Sequence, residues 1–573
     1  MRARFSFQQA LAILDLSLFV CMAAWLSTPS FAQNIPNAGT LQQQINRDRE
    51  IFIPKEIQAT ELPSPQAKKR LDGPKVTVKA FKFVGNTILD ELQLKKITEG
   101  FTDRSLEFFE LELASGAVAE LYRSMGFVVR TSLPPQDIKD GVVTMEIVEA
   151  NFGKVVVEPF ASKRLDIDRI VRTINAAQKT GEKLNTFQVD KALALLADLS
   201  GVQIQGSLVE GDSPGQTNLM VTLKETALVT LDASSDNTGS RSTGQNRLAT
   251  SLAINSPLGL GDQLAINTLS SSGTQFVRLS EYMPIGYAGS KFGLNLSHLN
   301  YHLVTQDYAA LLAKGTADTL GLETTYPLVL SRLSTLTAVL GLDGKHFVNQ
   351  SQNTVASDYV SRLVNLGLNG TTLSSPMSQT RSSFNMGWVG GQLDLSQSAN
   401  RVSDANTVKT SGRFNKFKYT VSRDQEIVQG FSFYSSLNGQ WASKNLDSSE
   451  KFYLGGINGV RAYPSNEAGG ALGQLASVEL RSRLGPSSLF SGFYDHGRVL
   501  TNPNNDYAGA SVLNKYALKG YGFSYAYGTA GGSSIKATVA RRIGNNPNPT
   551  TTGNDQDGSM VKNRVWLNAT VPF

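Results

Sequence analysis

The chain has 573 residues, 51 of them glycine, and a slightly negative mean hydropathy of −0.17. Beyond the N-terminal leader no segment reaches 18 consecutive apolar residues, which argues against membrane-spanning helices. The net charge of +6 is modest, and no basic stretch with interleaved aromatic residues indicates a nucleic-acid partner. The single cysteine, Cys21, lies in the leader, so neither disulfides nor thiol chemistry is expected of the mature chain.

Residues 1–32 have the pattern of a secretory signal peptide. Two arginines near the start precede an apolar run over residues 11–25, and the small residues Ser30 and Ala32 follow it. A charged region, an apolar region and a small-residue cleavage site, in that order, direct a chain to export. We predict cleavage after Ala32; the alternative, a single membrane anchor, has a rather short apolar run and no stop-transfer segment.

Residues 33–75 are predicted to form an N-terminal helix and a linker. Residues 40–50 are polar and compatible with a helix, and four prolines then follow without a sustained hydrophobic period. Proline removes backbone donors and disfavours helix before it, so an extended tether is expected there. Taken by itself, this composition is equally compatible with an N-terminus that has no role.

Residues 76–150 change to a mixed α+β pattern. Alternating and helical hydrophobic periods are separated by glycine-containing turns. In chain order the predicted elements are a strand at 76–84, helices at 90–99 and 106–121, and strands at 127–132 and 142–149.

Residues 151–226 repeat the same order of elements. The predicted elements are a strand at 155–157, helices at 167–174 and 187–199, and strands at 202–209 and 219–223. Two successive units of about 75 residues with one element order indicate tandem small modules. A single α/β domain of twice that size is the alternative.

Residues 227–573 are predicted to be all-β. Strand-like runs of about ten residues alternate with turns rich in glycine, asparagine, aspartate and serine, and no long helical pattern occurs. Membrane strands need about 9–11 residues each, so this segment has room for about 14 to 18 strands. In lipid every backbone polar group must be paired internally, which favours a closed barrel. A large soluble array of β-sandwiches is the alternative.

The last nine residues support an outer-membrane barrel. Apolar residues alternate with mostly polar ones from Val565 to the terminal Phe573, which places one apolar face toward lipid. The predicted fold class is therefore α+β periplasmic modules followed by an all-β transmembrane barrel.

Two motifs near the C-terminus have a recognisable order. The first is Leu-Gly-Gly-Ile-Asn-Gly-Val-Arg-Ala-Tyr-Pro over residues 454–464, and the second is Phe-Tyr-Asp-His-Gly over residues 493–497. With the modules and the barrel, they resemble the TpsB transporters of two-partner secretion, the ShlB/FhaC/HecB haemolysin secretion-activation type. The resemblance covers essentially the whole mature chain.

The resemblance implies a specific arrangement. The modules would be POTRA domains, at residues 76–150 and 151–226, and the barrel, at residues 227–573, would have 16 antiparallel strands. A long loop would fold into the lumen, where Arg461 pairs with Asp495. Ala462 stands where the wider superfamily often has glycine. The implied site residues are the loop motif Val460, Arg461, Ala462 and Tyr463, the wall motif Phe493, Asp495 and Gly497, and the C-terminal signature Phe573.

It also implies a function. Such a chain is an outer-membrane pore that exports a large partner exoprotein, a TpsA-type adhesin or haemolysin, from the periplasm to the cell surface without nucleotide hydrolysis. The helix near residues 40–50 would plug the pore at rest. The expected partners are that exoprotein, outer-membrane lipid and, during biogenesis, the barrel-assembly machinery; the pore itself is expected to be a monomer. The alternatives are a barrel-assembly factor of the same superfamily and a passive porin.

No enzymatic chemistry is indicated. The sequence shows no phosphate-binding loop, no nucleophile elbow and no metal-ligand cluster, so no catalytic residue, metal or cofactor is expected. His298 and His302 are four residues apart, but they lie in a strand-and-turn region where that spacing does not bring them together.

Overall fold

A computed structural model describes most of the chain after the predicted signal peptide. The signal peptide and most of the predicted proline-rich linker lie outside the described residues. The described ranges are 36–49, 75–158, 164–331, 333–374, 380–550 and 552–573. Within them, no helix is long and apolar enough to cross a membrane.

The first module is a small sheet covered by two helices. Its core contains the buried side chains of Leu94, Tyr122 and Met145. Helix α2 begins with a capping box, in which Asp90 and Gln93 exchange side-chain-to-backbone hydrogen bonds. In chain order, after the N-terminal helix α1 (Ala38–Arg49), the elements are β1 (Val76–Val78), β2 (Ala80–Val84), α2 (Glu91–Thr98), β3 (Arg104–Leu106), α3 (Phe108–Ser124), β4 (Val129–Ser132) and β5 (Val142–Glu149).

The second module repeats this topology. Its elements are β6 (Asn151–Val157), α4 (Ile167–Ala177), α5 (Thr186–Ala197), β7 (Val202–Glu210) and β8 (Gln216–Glu225). In the first module β2 pairs parallel with β5 and β4 pairs antiparallel with β5; in the second, β6 and β7 pair with β8 in the same two senses. The sheet order first–last–middle is therefore common to both units, as expected of a tandem repeat.

The two modules are joined by hydrogen bonds rather than by a free linker. Val128 N donates to Leu184 O at 3.3 Å, Leu184 N donates to Ala150 O at 2.8 Å, and Thr186 N donates to Gly126 O at 2.7 Å. These bonds hold the start of α5 against the first module.

The C-terminal part is a closed barrel of 16 antiparallel strands, in which the last strand, β26, pairs with the first, β9. The predicted closed barrel is therefore confirmed. Its strands are β9 (Val229–Asp236), β10 (Arg247–Asn255), β11 (Gln263–Ser270), β12 (Thr274–Ile285), β13 (Ser290–His302), β14 (Lys314–Leu330), β15 (Ser334–Ser351), β16 (Thr354–Leu373), β17 (Arg381–Asp394), β18 (Gly412–Val428), β19 (Phe431–Ala442), β22 (Leu472–Leu484), β23 (Ser488–Leu500), β24 (Lys515–Gly528), β25 (Ser534–Arg542) and β26 (Asn563–Pro572). Two short strands, β20 (Phe452–Tyr453) and β21 (Gly469–Gly470), and the six-residue helix α6 (Arg401–Asn406) lie in the connections.

The barrel has two distinct ends. The chain enters β9 from the second module, so the starts of the odd strands up to β19 and the short turns between hairpins lie at this module end. The opposite, distal end carries the long connections, among them residues 443–471 between β19 and β22. Several strands are longer than the predicted ten residues, up to 20 in β16, because strand pairing continues past the length that a bilayer requires.

Candidate functional site: a loop and a helix inside the barrel

The connection at residues 443–471, called here the long loop, folds back into the lumen. Val460 and Ala462 are fully buried. The turn before them requires glycine at two places: Gly456 has a φ of +109°, and a Cβ on Gly459 would lie 1.9 Å from the Leu454 carbonyl oxygen. The glycines of the loop motif thus allow the tight turn that presents Arg461 to the barrel wall.

Arg461 is held by Asp495 of β23. Arg461 Nε donates to Asp495 Oδ2 at 2.9 Å and Nη2 donates to Oδ1 at 2.7 Å, while the Arg461 backbone N donates to Oδ2 at 3.1 Å. The carboxylate of Asp495 is fully buried. This is a two-point guanidinium–carboxylate pair, in which the planar fork of arginine matches both carboxylate oxygens.

Three further side chains complete the surroundings of Arg461. Nη1 donates to Glu479 Oε1 at 2.7 Å, and Nη2 donates to Ser477 Oγ at 2.9 Å. The guanidinium carbon lies 3.4 Å from the centre of the Phe493 ring, a cation–π contact. The guanidinium is therefore bound at its edges by oxygen and on one face by an aromatic ring.

Two glycines of the wall leave space for the loop. A Cβ on Gly497 would lie 2.6 Å from Leu454 Cδ2, and a Cβ on Gly520 of β24 would lie 2.5 Å from Ala462 Cβ. Ala462 has no positive φ. Its methyl group is accommodated because the facing wall residue is glycine.

The remaining residues of the predicted site lie in two parts of the barrel. Val460 and Tyr463 are buried in the same loop turn, and the Tyr463 ring lies 4.5 Å from the guanidinium carbon of Arg542. Phe573 lies away from this cluster at the module end, is 76% exposed, and donates from its backbone N to Leu231 O at 2.7 Å.

The long loop has a second charged anchor on a different part of the wall. Glu450 is buried and accepts from Lys345 Nζ of β15 at 2.9 Å and from Lys416 Nζ of β18 at 2.6 Å. Arg461 is bound on β22 and β23. The loop is therefore attached to the wall through an acidic residue at one point and a basic residue at another.

Helix α1 lies inside the distal half of the barrel. Its apolar residues Ala38, Leu41 and Ile45 are buried in one cluster with inward-facing wall residues such as Leu299 and Phe347. The cluster places an N-terminal helix within the pore, and its apolar side is covered by the wall.

Polar contacts fix the same helix to the wall. Ala38 N donates to Asn349 Oδ1 of β15 at 2.9 Å. Arg247 Nη1 of β10 donates to Asp48 Oδ2 at 2.8 Å. The two ends of α1 are thus attached to strands that lie apart in the barrel.

Other polar contacts fix α1 to the long loop. Arg47 Nη1 donates to Tyr453 O at 2.8 Å, Asn458 Nδ2 donates to Asp48 Oδ1 at 3.1 Å, and Asn466 Nδ2 donates to Gln44 Oε1 at 3.0 Å. Helix and loop therefore form one plug, defined here as α1 together with the long loop, across the distal half of the lumen.

Sequence reasoning missed Glu479, Ser477 and Gly520. Glu479 and Ser477 lie on β22, where Ser477 is the direct cross-strand neighbour of Asp495. The signal for them is the alternation of polar and apolar residues over 477–481, with the polar residues facing the lumen. Finding their partner requires the strand register, which the sequence pattern does not give.

Histidine, aspartate and glutamate side chains, which can bind metal ions, occur in the part of the chain that the structure describes. There, no three or more histidine, cysteine, aspartate or glutamate side chains are placed to hold a metal ion. His298 and His346 form outward-facing contacts with Asp318 and Asp358 at 2.7 Å each.

Comparison with known protein families identifies the architecture. Residues 215–518, more than half of the chain, match the model of the haemolysin secretion/activation protein ShlB/FhaC/HecB. The chain belongs to this family. Residues 76–150 match the POTRA domain of the ShlB type.

Curated relatives of this family member are outer-membrane transporters. The heme/hemopexin transporter protein HuxB of Haemophilus influenzae strain 86-028NP is 24% identical over 539 residues, 91% of this chain and 94% of that protein. The outer membrane transporter CdiB of Dickeya dadantii is 24% identical over 468 residues, 78% of this chain and 80% of that protein.

Solved structures show the same fold. CdiB from Escherichia coli matches with a TM-score of 0.70 at 19% identity, over 95% of this chain and all of that one. BamA from Haemophilus ducreyi, lacking its POTRA domains 1–3, matches with a TM-score of 0.51 at 14% identity, over 87% of this chain and all of that one. The protein is therefore a TpsB-type outer-membrane transporter with its POTRA modules in the periplasm. The distal end of the barrel faces the cell exterior, and the family is one of pores and transporters rather than enzymes.

Proposed function

We propose that this transporter exports one large partner exoprotein, a TpsA-type adhesin or haemolysin, from the periplasm to the cell surface. The observation that carries the proposal is the plug: α1 is held in the lumen by side-chain contacts and buried apolar residues that can separate without breaking the barrel. A passive solute channel has no need for two periplasmic modules or for a plug anchored at so many points.

The periplasmic modules supply a means of capturing an extended chain. In the second module β8 is central, and β6 and β7 form the two sides of the sheet. An exposed strand edge accepts an extended peptide as an added strand, with main-chain hydrogen bonds giving affinity. The partner would then enter the lumen as α1 leaves, and its folding outside the cell would drive export without nucleotide.

The names of the relatives agree with this role and leave the cargo open. HuxB is named for heme/hemopexin and CdiB as an outer membrane transporter. We assign only the class of cargo, a secreted exoprotein, and infer that a single transporter chain forms each pore.

Comparative proteomics of culture medium and cell surface, with and without this gene, tests the proposal. Loss of one very large exported protein, with other outer-membrane barrels unchanged, is the expected result. A broad fall in many barrels would contradict export and would favour the alternative, a barrel-assembly factor. Unchanged secretion with altered uptake of small solutes would favour a porin.

A further inference from the structure

Strands β23, β24 and β25 present different chemistry on their two faces. Inward-facing Asp495 and Gly520 contact the long loop through Arg461 and Ala462. The neighbouring residues face outward because side chains alternate along a strand. The outward-facing residues near the distal ends of these strands are His496, Arg498, Lys519 and Arg541, called here the outer basic patch.

The strand register brings the outer basic patch together. His496 is the direct cross-strand neighbour of Lys519, and Arg541 lies on the next strand, opposite Tyr521. Arg498 and Arg541 are both diagonal neighbours of Lys519, about 7–8 Å away, so these three like charges repel one another unless an anion lies between them. The patch therefore concentrates positive charge on the outside of the barrel.

No carboxylate neutralises this patch among the described residues. Arg498 donates only to the neutral Gln474, at 3.1 and 2.6 Å, and none of the four side chains takes part in an ion pair there. On the opposite wall, outward-facing basic residues do have carboxylate partners. His298 contacts Asp318 at 2.7 Å, and Arg362 lies 3.9 Å from Asp394.

An aromatic and apolar surface lies immediately toward the module end of the patch. Tyr494, Tyr521, Phe523 and Tyr525 face outward and are 37–57% exposed. Tyr494 and Tyr521 are direct cross-strand neighbours beside the patch, and aromatic residues at the end of the lipid-facing surface mark the interface between hydrocarbon and head groups in outer-membrane barrels. The outer basic patch thus lies at the head-group level of the outer leaflet, above a surface suited to acyl chains.

We propose that the outer basic patch binds the phosphate groups of an acylated, phosphorylated glycolipid of the outer leaflet. Arginine and lysine donate charge-assisted hydrogen bonds to phosphate oxygens. A cluster of cations without acidic partners is stabilised most when it binds an anion that carries several charges. The acyl chains of the same lipid lie against the aromatic surface below. The lipid site is then back to back, through one layer of strands, with the wall that holds Arg461.

Lipid retention by the purified full-length protein tests this assignment. Native mass spectrometry is carried out with bisphosphorylated lipid A, dephosphorylated lipid A or phosphatidylglycerol as the added probe. Charge-assisted hydrogen bonds to three cations predict a fall of about tenfold or more in bound bisphosphorylated lipid A for the triple variant Arg498→Gln, Lys519→Gln and Arg541→Gln. The matched control removes the same charge from the opposite wall, through Lys314→Gln, Arg362→Gln and Arg413→Gln, and is expected to retain the lipid.

The wild-type protein gives an independent readout if the triple variant does not fold. It is expected to bind bisphosphorylated lipid A at least about tenfold better than the dephosphorylated form. Equal binding of the two forms overturns the proposal, as does undiminished binding by the folded triple variant. Displacement by an equal concentration of phosphatidylglycerol also overturns it, because it would show a general affinity for anionic lipid.

Discussion

Phe493, Asp495 and Gly497 all face the lumen because alternate residues of a strand share one face. Each makes a different contact with the long loop: the ring lies on the guanidinium, the carboxylate binds it, and the glycine leaves space for Leu454. The spacing of the motif is therefore the two-residue period of β23. Its residue types follow from what the loop presents at each position.

Asp495→Asn is expected to free the long loop from the wall. Arg461 would keep Glu479 but lose the two-point contact, and breaking a buried ion pair by changing one partner costs about 3–5 kcal/mol. Amide hydrogen exchange of residues 454–470 in the full-length protein should rise markedly. The control Asp394→Asn changes an outward-facing carboxylate and should leave this exchange unchanged; equal exchange in both variants would contradict the anchor.

Gly520→Ala is expected to disturb the same anchor by sterics alone. Its new Cβ would lie 2.5 Å from the Ala462 Cβ, so either β24 or the long loop must shift. Overpacking of this kind typically costs about 1–3 kcal/mol. The second change Ala462→Gly removes the opposing methyl group and should restore thermal stability and secretion toward wild type. Failure of this rescue would show that the two residues do not compete for space.

At the scale of elements, periodicity located most of the structure. The strand predicted at 142–149 is found at Val142–Glu149, and the one predicted at 202–209 is found at Val202–Glu210. The strand predicted at 155–157 begins earlier, at Asn151, because it pairs with β8 through residues whose polar and glycine composition hides the pattern. Composition alone gave a range of strand numbers, and the value of 16 came from the family resemblance.

The plug was only partly accessible from sequence. Residues 40–50 are compatible with a helix, but nothing in their period identifies the lumen as their location. That placement depends on wall residues far along the chain, such as Asn349 and Arg247. Likewise, the sequence offers Glu450 no partner until the strand register places Lys345 and Lys416 beside it.

Ile45→Asp is expected to release α1 from the lumen. The side chain is 5% exposed within the apolar cluster, and an unpaired charge there carries a large desolvation cost. Single-channel recordings in planar bilayers should show a greater open probability. Asn46→Asp adds the same charge at a half-buried position of the same helix and is the control. Wild-type conductance in Ile45→Asp would show that the cluster does not hold the helix.

At the scale of the whole molecule, polar contacts connect the modules to one another and to the barrel. Glu149 lies at the joint between the modules, where it accepts from Ile88 N and Tyr122 Oη at 2.9 Å each and lies 3.2 Å from Lys183 Nζ of the second module. Arg169 of the second module donates to the carbonyl oxygens of Pro284 and Gly286 at the module end of the barrel, at 3.1 Å each. The two modules are therefore mechanically coupled to the barrel rim.

The Glu149 joint is expected to weaken in acid. Burial alone would raise the pKa of Glu149, but hydrogen bonds donated by Thr87, Ile88 and Tyr122 outweigh burial and lower the pKa to about 2. Because the pKa is lower in the folded state, the stabilisation is complete above about pH 4.5 and is lost as the pH falls through about 2. The shift corresponds to roughly 3 kcal/mol.

Glu149→Gln tests this linkage. Urea-dependent hydrogen exchange of residues 75–226 in the full-length protein should show a loss of stability at pH 7 that narrows at pH 3.5. Glu91→Gln, which changes an exposed i,i+4 ion pair with Lys95, should shift stability by at most about 0.5 kcal/mol at both pH values. If the difference in stability between wild type and Glu149→Gln is the same at both pH values, the assignment of the stabilisation to the ionised carboxylate is contradicted.

The contacts of α1 also determine when it reaches its place during biogenesis. It is synthesised before the rest of the described chain, yet its partners are as far away in sequence as Asn349 and Asn466, separations of 311 and 422 residues from the helix residues they contact. Contacts of such high order form late, because the intervening chain must first be ordered. Among the described helices, α1 therefore emerges first and docks last, and a newly inserted barrel passes through an unplugged stage before α1 closes its pore.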